Sequence, residues 1–308
     1  MTAGIVVWLP GKDAESVMGG VPDGYQAEVW PGTVELPSSA AEVEVVIPPF
    51  PVQRPYLGAL RDLPKLRLVQ LLSAGAENVI PHVPSGVTLC TARGAHDYVT
   101  AEWAATVILA HLRRLPRFLA AQAEGRWDFT LTGTLDGQNV LIVGYGSIGS
   151  VLERMLLPFG ATVTKVARQP RDGVHGVAEL PELLPSADIV VLLVPVTPAT
   201  TGLADAAFLT RMRDGALLVN AARGVIVDTG ALLAELTSGR LYAALDVTDP
   251  EPLPSGHPLW SAPGLILTPH TAGAGGRPLE RALAVARAQL VRYAAGQPLL
   301  NVVSGAGY

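Results

Sequence analysis

Three short polar segments, each preceded by an apolar run, stand in the second half of the chain. They are residues 220–224, 246–252 and 268–273. They contain Arg223, Glu251 and His270: an arginine binds a carboxylate through its planar fork, a histidine moves protons near neutral pH, and a carboxylate orients it. Taken singly, each could be an ordinary surface or strand-end residue. Because parallel strands end at one sheet edge, we expect the three side chains to share that edge.

A glycine-rich turn lies upstream, after an apolar run at residues 140–143. Gly144, Gly146 and Gly149 have the spacing G-x-G-x-x-G, and a helix is predicted from about Ser147. The first glycine permits a tight turn, the second lets the backbone approach a pyrophosphate, and the third lets the helix pack close to the strand. The segment predicts a dinucleotide site, with a plain strand-to-helix turn as the alternative.

The next strand-like run, residues 163–167, is not followed by the acidic residue that binds the ribose hydroxyls in NAD-dependent sites. Arg168 and Arg171 follow it instead, and Asp172 comes later in the loop. An arginine can donate two hydrogen bonds to the 2′-phosphate of NADP(H), and without the acidic residue no carboxylate at this position repels that phosphate. We therefore expect NADP(H) to be preferred over NAD(H). The alternative is that Arg168 is a solvated loop charge.

Short apolar runs alternate with helix-length segments along most of the chain. The clearest runs are residues 43–47, 66–72, 140–143, 163–167, 189–194, 216–219 and 241–245. Runs of this kind are typical of parallel strands covered on both faces by helices. A long helix is predicted from about residue 98 to 124, a loop over 130–138, and a last helix over 278–295 that returns to the first block.

These patterns predict an α/β protein with two doubly wound parallel-sheet domains. Residues 1–98 plus 278–308 would form a flavodoxin-like substrate domain. Residues 99–277 would form the Rossmann, dinucleotide-binding domain.

Composition narrows the function classes. Of 308 residues 49% are hydrophobic, and the single cysteine, Cys90, excludes an intramolecular disulfide and a cysteine-rich metal site. The net charge of −5 argues against a nucleic-acid partner. With no targeting signal or membrane-length apolar run in the sequence, we expect a cytoplasmic protein that acts on small molecules.

Taken together, the motifs resemble those of the D-isomer-specific 2-hydroxyacid dehydrogenases, a family that includes glyoxylate/hydroxypyruvate reductases and D-3-phosphoglycerate dehydrogenase. The resemblance covers nearly the whole chain from about Leu66, whereas residues 1–64 match weakly. It rests on residues 71–76, 91–96, 101–102, the glycine turn, residues 194–200 and the three polar segments, in the family's order and close to its spacing.

The resemblance implies a role for each candidate catalytic residue. His270 would be the general acid/base at the C2 oxygen of a small 2-keto or 2-hydroxy acid, as hydride moves to or from nicotinamide C4. Glu251 would hold and orient the imidazole, and Arg223 would bind the substrate carboxylate and polarise the carbonyl. Backbone N–H groups at Ser73, Ala74 and Gly75 would bind the same carboxylate across the cleft.

The resemblance also implies cofactor contacts and a partner. Asp246 matches the position that bonds the nicotinamide carboxamide. The other implied cofactor residues are Gly144, Tyr145, Gly146, Ser147, Ile148, Gly149, Arg168, Val194, Pro195, Thr200, Ala221, Ala222 and Gly273. A homodimer is expected through the predicted helix near residues 98–124 and the loop after it. We favour the reductive direction, because NADPH is the usual cellular reductant.

Several departures and alternatives stay open. Thr248 replaces an aromatic residue common in the family. The alternative functions are a cofactor-sensing, corepressor-like binding protein and a phosphite-type dehydrogenase; a formate enzyme is disfavoured because it would carry glutamine at Glu251. Further candidates for the cleft, each with packing as the alternative role, are Tyr56, Arg93, His96, Tyr98 and Trp103.

Overall fold

The computed structural model describes residues 4–33, 35–50 and 54–303. The chain divides into two compact units, residues 1–96 with 276–308 and residues 97–275. Each unit is built on its own parallel β-sheet, of five strands in the first unit and seven in the second. The predicted fold class, two parallel-sheet α/β domains, is confirmed.

The first unit contains strands β1 (Ile5–Leu9), β2 (Tyr25–Val29), β3 (Val43–Val46), β4 (Leu68–Gln70) and β5 (Thr88–Cys90). Two short helices, α1 (Ala14–Val17) and α2 (Arg54–Ala59), lie between strands. The sheet order is β2-β1-β3-β4-β5, with all neighbouring strands parallel. This is the order of flavodoxin-like sheets.

The second unit contains strands β6 (Asn139–Val143), β7 (Thr162–Ala167), β8 (His175–Gly176), β9 (Ile189–Leu192), β10 (Leu217–Asn220), β11 (Tyr242–Leu245) and β12 (Leu265–Leu267). Its helices are α3 (Asp97–Leu112), α4 (Leu115–Ala123), α5 (Ser147–Leu156), α6 (Leu180–Leu183), α7 (Ala206–Arg211) and α8 (Thr229–Thr237). The sheet order is β12-β11-β10-β9-β6-β7-β8. Strands β9 and β10 are buried along their whole length, which explains why their residues are apolar up to Asn220 at the end of β10.

The order of the seven strands reverses beside β6. From β6 the chain passes to β7 and β8 on one side, and it then returns to place β9 on the other side. A doubly wound sheet opens a crevice at such a reversal, beyond the carboxyl ends of the strands. The glycine turn that follows β6 therefore lies where a Rossmann sheet binds its dinucleotide.

The last helix, α9 (Pro278–Ala294), belongs to the first unit. Ala282, Leu283, Ala286 and Leu290 recur at helical spacing, are buried, and pack in one cluster with side chains of β1, β3 and β4. Beyond the helix, the N–H of Val303 donates to the carbonyl of Leu89 on β5 at 2.8 Å. The core of the first unit is thus assembled from both ends of the chain.

The prediction of one helix over residues 98–124 is wrong, because two helices, α3 and α4, occupy this stretch. Between them Arg114 has a left-handed backbone, with φ of 52°. Pro116 has no N–H to donate to the carbonyl of Leu112, four residues earlier. The N–H of Gly133 donates to that carbonyl instead, at 2.9 Å. A proline within an apolar pattern therefore ends α3.

Three further points concern the described ranges: membrane-spanning helices, metal-ligand clusters and the single thiol. None of the helices in residues 4–33, 35–50 and 54–303 is long and apolar enough to cross a membrane. In the same ranges no three His, Cys, Asp or Glu side chains are grouped as metal ligands. Cys90 is buried, and burial raises the pKa of its thiol to about 11. The thiol therefore packs as a small protonated side chain.

Candidate active site

The glycine turn approaches the segment after β9 too closely to carry side chains. Gly144 has φ of 100°, and a Cβ built on it would lie 2.6 Å from the backbone nitrogen of Val194. In the first turn of α5, a Cβ on Gly149 would lie 3.1 Å from Cγ2 of Ile142 on β6. Both glycines thus allow the turn and the helix to pack against the sheet.

Gly146, by contrast, faces open space. A Cβ there would meet no atom closer than the Gly144 carbonyl oxygen, 4.0 Å away. At the start of α5, the N–H groups of Ser147, Ile148 and Gly149 have no acceptor among the described residues. Open backbone beside unpaired N–H groups at a helix N-terminus can hold a phosphate. These residues fit the pyrophosphate of a dinucleotide.

Side chains on α5 and β7 hold the glycine turn through Tyr145. The Tyr145 hydroxyl donates to the carboxylate of Glu153, which also pairs with Lys165 Nζ at 3.0 Å. The hydrogen bond to Glu153 raises the pKa of Lys165, so the ammonium stays charged. Arg171 Nη2 donates to the Tyr145 carbonyl at 3.0 Å. Glu153 and Lys165 were not among the predicted site residues, because no local sequence pattern joins them to the turn.

Arg168 follows β7 directly and is exposed. Strand β7 is the second strand of the Rossmann order, and the residue at its end lies beside the adenosine ribose in this class of sheet. The chain therefore presents an arginine where an NAD-binding sheet presents a carboxylate.

A buried asparagine organises the turn that carries Arg223. Asn220, the last residue of β10, donates from Nδ2 to the Arg223 carbonyl at 2.9 Å and accepts the Ala222 N–H on Oδ1 at 3.0 Å. A Cβ on Gly224 would lie 1.9 Å from the carbonyl oxygen of Thr248, so the turn packs directly on the next polar segment. Asn220 was not among the predicted site residues, although a polar residue at the end of an apolar strand is a signal that the sequence contains.

The structure brings His270 and Glu251 together. The imidazole Nδ1 lies 2.6 Å from Oε1 of Glu251. Because an ionised carboxylate only accepts hydrogen bonds, Nδ1 carries the shared hydrogen and Nε2 is left for another partner. The two side chains are 42% and 40% exposed, so a small molecule can reach them.

The backbone of His270 is left-handed, with φ of 54°, and Asp246 holds it there. Asp246 is 2% exposed and its own carbonyl accepts the His270 N–H at 2.7 Å. The Asp246 carboxylate accepts hydrogen bonds from Thr268 Oγ1 at 2.6 Å, from the Thr271 N–H at 2.8 Å and from the Ala272 N–H at 2.8 Å. These bonds fix the turn on both sides of His270. A contact between Asp246 and a nicotinamide stays a prediction.

The remaining predicted cofactor residues lie at the same sheet edge. Val194 and Pro195 follow β9, and Thr200 Oγ1 closes their turn by donating to the Pro195 carbonyl at 2.6 Å. Ala221 and Ala222 follow β10, and Gly273 follows β12. All of them stand beyond the carboxyl ends of parallel strands, where this class of sheet builds its sites.

In the first unit, residues 73–75 form a turn after β4. The N–H groups of Ser73, Ala74 and Gly75 have no acceptor within the described ranges, and Ser73 Oγ donates to the Gly75 carbonyl at 2.7 Å. Successive unpaired N–H groups in a turn make an anion-binding concavity. The turn can therefore bind a carboxylate.

Of the five further candidates, Tyr56 has a clear packing role. It is fully buried, and its ring stacks on Trp30 with the centroids 3.9 Å apart. The others are Arg93 and Tyr98, which are exposed, and His96 and Trp103, which are half-buried.

The second unit defines a dinucleotide-binding protein of the Rossmann class. The family model described as D-isomer specific 2-hydroxyacid dehydrogenase, NAD binding domain, matches residues 105–272, more than half of the chain. The chain belongs to the D-isomer specific 2-hydroxyacid dehydrogenase family. The resemblance drawn from the sequence motifs is confirmed.

Individual relatives agree with this. The chain is 35% identical over 212 residues to the human glyoxylate reductase/hydroxypyruvate reductase, and the match spans 65% of each chain. It is 30% identical over 302 residues to the glyoxylate reductase of Aeropyrum pernix, covering 91% of this chain and 90% of that one. A solved D-isomer specific 2-hydroxyacid dehydrogenase from Xanthobacter autotrophicus Py2, in complex with NADPH and MES, has a TM-score of 0.86 at 30% identity, covering 98% of both chains.

Alanine at Gly144 is expected to lower stability, whereas alanine at Gly146 is expected to weaken cofactor binding. Gly144→Ala should lower the free energy of unfolding by about 2–4 kcal/mol, because its Cβ meets backbone. Gly146→Ala should change the free energy of unfolding by no more than about 1 kcal/mol. It should weaken NADPH binding at least about tenfold, because its Cβ would fill the open space beside the N–H groups at the start of α5. Urea unfolding and fluorescence titration with NADPH measure the two quantities. Equal losses of stability in both variants would contradict this assignment.

Proposed function

We propose that the chain is an NAD(P)-dependent D-2-hydroxyacid dehydrogenase that works mainly as a 2-keto-acid reductase. The observation that carries the proposal is the 2.6 Å contact between His270 Nδ1 and Glu251, at the same sheet edge as the glycine turn. Family membership supports it, and so do two relatives named as glyoxylate reductases. The substrate would be glyoxylate, hydroxypyruvate or a bulkier 2-keto acid.

His270 would supply the proton in the reductive direction. Its Nδ1 is engaged by Glu251, so Nε2 is the atom that gives a proton to the C2 oxygen of the substrate. Glu251 keeps the ring in one orientation and balances the positive charge of the protonated imidazole. The reduced nicotinamide, when bound, supplies hydride to C2. In the oxidative direction His270 takes the proton back.

Arg223 would bind the substrate carboxylate and polarise the carbonyl through its two-pronged guanidinium. Asn220 donates to the Arg223 carbonyl and accepts the Ala222 N–H, and these two bonds hold the backbone around Arg223 and limit where the guanidinium can lie. The N–H groups of Ser73, Ala74 and Gly75 would also bind a substrate carboxylate. Backbone donors suit this task because they add no charge that must be desolvated.

We propose that NADP(H) is preferred over NAD(H). Arg168 stands at the end of β7, where it can donate to a 2′-phosphate and where no carboxylate repels one. The similar enzyme from Xanthobacter autotrophicus Py2 was solved with NADPH, which is consistent with this preference.

Turnover of 2-keto acids tests the proposed function. Absorbance at 340 nm would be followed with NADPH or NADH and a panel containing glyoxylate, hydroxypyruvate, pyruvate and longer 2-keto acids. We expect turnover of at least one acid. His270→Asn should lower kcat by a factor of about 10² or more, because general acid catalysis contributes about 10²–10⁴.

The matched control is His82→Asn, which changes a histidine of the other unit that has no place in the proposed mechanism. It should keep the wild-type kcat. Wild-type silence across the panel with NADPH still bound would exclude the reductase and favour a cofactor-sensing protein. Phosphite oxidation by the same sample would point to the phosphite-type enzyme.

Removing the Arg168 guanidinium should alter cofactor choice alone. Arg168→Ala should raise the Kd for NADPH about 10–100-fold and leave that for NADH unchanged, because a charge-assisted hydrogen bond contributes about 1.5–3 kcal/mol. Arg211→Ala, an exposed arginine on α7, serves as the control and should change neither constant. If the ratio of the two constants stays the same in Arg168→Ala, another group reads the phosphate.

We further propose that the enzyme is a homodimer joined through the segment after α4. Trp127, Phe129 and Leu131 are 96%, 83% and 80% exposed and form an apolar row on a stretch of chain without regular secondary structure. Between Trp127 and Phe129, the Asp128 side chain is 11% exposed and accepts two hydrogen bonds from Arg117. These bonds and the pairing with Arg126 lower the pKa of Asp128 to about 2. An ordered apolar row of this kind indicates an interface.

Replacing the row should yield monomers. The double variant Trp127→Ser/Phe129→Ser should sediment as a single chain at micromolar concentration, because it removes the two largest side chains of the row, whereas the wild type should sediment as a pair. Trp260→Ser changes an exposed tryptophan elsewhere on the second unit and should stay a pair. A wild type that is monomeric at this concentration would rule out the homodimer.

A further inference from the structure

The side chain of His96 bonds the turn that holds Ser73, Ala74 and Gly75. Its Nε2 lies 3.1 Å from the carbonyl oxygen of Leu72. A carbonyl only accepts, so Nε2 carries the hydrogen and donates it. The other ring nitrogen, Nδ1, is buried and has no hydrogen-bond partner among the described residues. This one hydrogen bond therefore determines the tautomer and the direction of the ring.

The bond from His96 also determines where the N–H of Ser73 points. In a planar trans peptide, the carbonyl of one residue and the N–H of the next point in opposite directions. The Leu72 carbonyl points to His96, so the Ser73 N–H points away from it. Likewise the Ser73 carbonyl accepts the N–H of Ala92 at 2.8 Å, which turns the Ala74 N–H away from residue 92.

The two anchors differ in kind. The N–H of Ala92 is a backbone group that any residue except proline would supply, whereas the His96 donor depends on the side chain. Leu72 is 4% exposed, so its carbonyl has little access to water. Without the imidazole, the buried Leu72 carbonyl would be unpaired, which costs free energy. Rotation of the Leu72–Ser73 peptide toward another donor would recover part of that free energy. Rotation would turn the Ser73 N–H away from its present direction.

We propose that His96 is a positioning residue for substrate binding: through the Leu72 carbonyl, it aims the Ser73 N–H at the carboxylate of the 2-keto acid. The inference rests on the proposed function, since it takes residues 73–75 as the carboxylate site. His96 touches neither the substrate nor the cofactor in this role. It sets the orientation of a backbone donor that does.

Two substitutions separate positioning from mere packing. His96→Leu keeps an apolar side chain but removes the donor, and His96→Gln places an amide Nε2 at about the same distance from the backbone. We expect His96→Leu to raise KM for the best acid of the panel about tenfold, with kcat and the Kd for NADPH within about twofold, since a carboxylate contact acts equally on ground and transition states. His96→Gln should restore KM to within about threefold of wild type.

A purely structural role gives a different result. In that case His96→Leu would lower the melting temperature and the fraction of active enzyme, so that the apparent kcat falls while KM stays the same. That outcome, or an unchanged KM in His96→Leu, would overturn the proposal. So would a His96→Gln variant that resembles His96→Leu in KM.

A binding measurement keeps the proposal testable without turnover. In ¹⁵N-labelled protein with NADP⁺ bound, oxamate, an unreactive analogue of a 2-keto acid, should shift the Ser73 and Ala74 amide resonances in wild type and His96→Gln. In His96→Leu, the Ser73 shift should be lost or need about tenfold more oxamate. No Ser73 shift in wild type overturns the proposal. The expected shifts in an enzyme that reduces no acid would instead refute the proposed function and leave the role of His96 intact.

Discussion

The hydrogen bonds of the buried Asp246 carboxylate are the interaction on which the candidate catalytic edge depends. A buried carboxylate is costly unless donors surround it, and here Thr268, Thr271 and Ala272, in the segment after β12, donate hydrogen bonds to it. Their combined hold keeps His270 in a left-handed conformation that a residue with a side chain rarely adopts. Because the backbone of His270 is already held in position, Glu251 only orients the imidazole ring. Backbone position and ring orientation are therefore controlled by two different carboxylates.

The same arrangement recurs at the other candidate turns. Asn220 is buried at the end of β10 and bonds the backbone that carries Arg223. In the first unit, the imidazole of His96 bonds the backbone before Ser73. In each case, a polar side chain forms hydrogen bonds with the backbone of a turn at the end of a strand. That turn positions the side chain or N–H group proposed to act on the substrate. Strand-end loops thereby gain the rigidity that catalytic placement needs.

The sequence allowed the fold class, the positions of seven strands and the family to be predicted, because unbroken apolar runs and glycine spacing are local signals. It did not allow the contact of Tyr145 with Glu153, or the bonds around Asp246, to be predicted. These depend on residues that only the finished sheet brings together. The break between α3 and α4 does have a local signal, Pro116, which removes one helical hydrogen bond. The helical spacing of apolar residues led to the prediction of a single helix.

In the proposed function, binding and discrimination would be divided between backbone and side chains. The N–H groups at the start of α5 and those of residues 73–75 are donors that nearly any sequence could supply, provided that the backbone takes the right path. Glycines such as Gly144 and anchors such as His96 determine that path. Arg168 and Arg223, in contrast, can distinguish a phosphate or a carboxylate by charge and shape. A change of cofactor or substrate can therefore arise from a few side chains, while the backbone sites stay as they are.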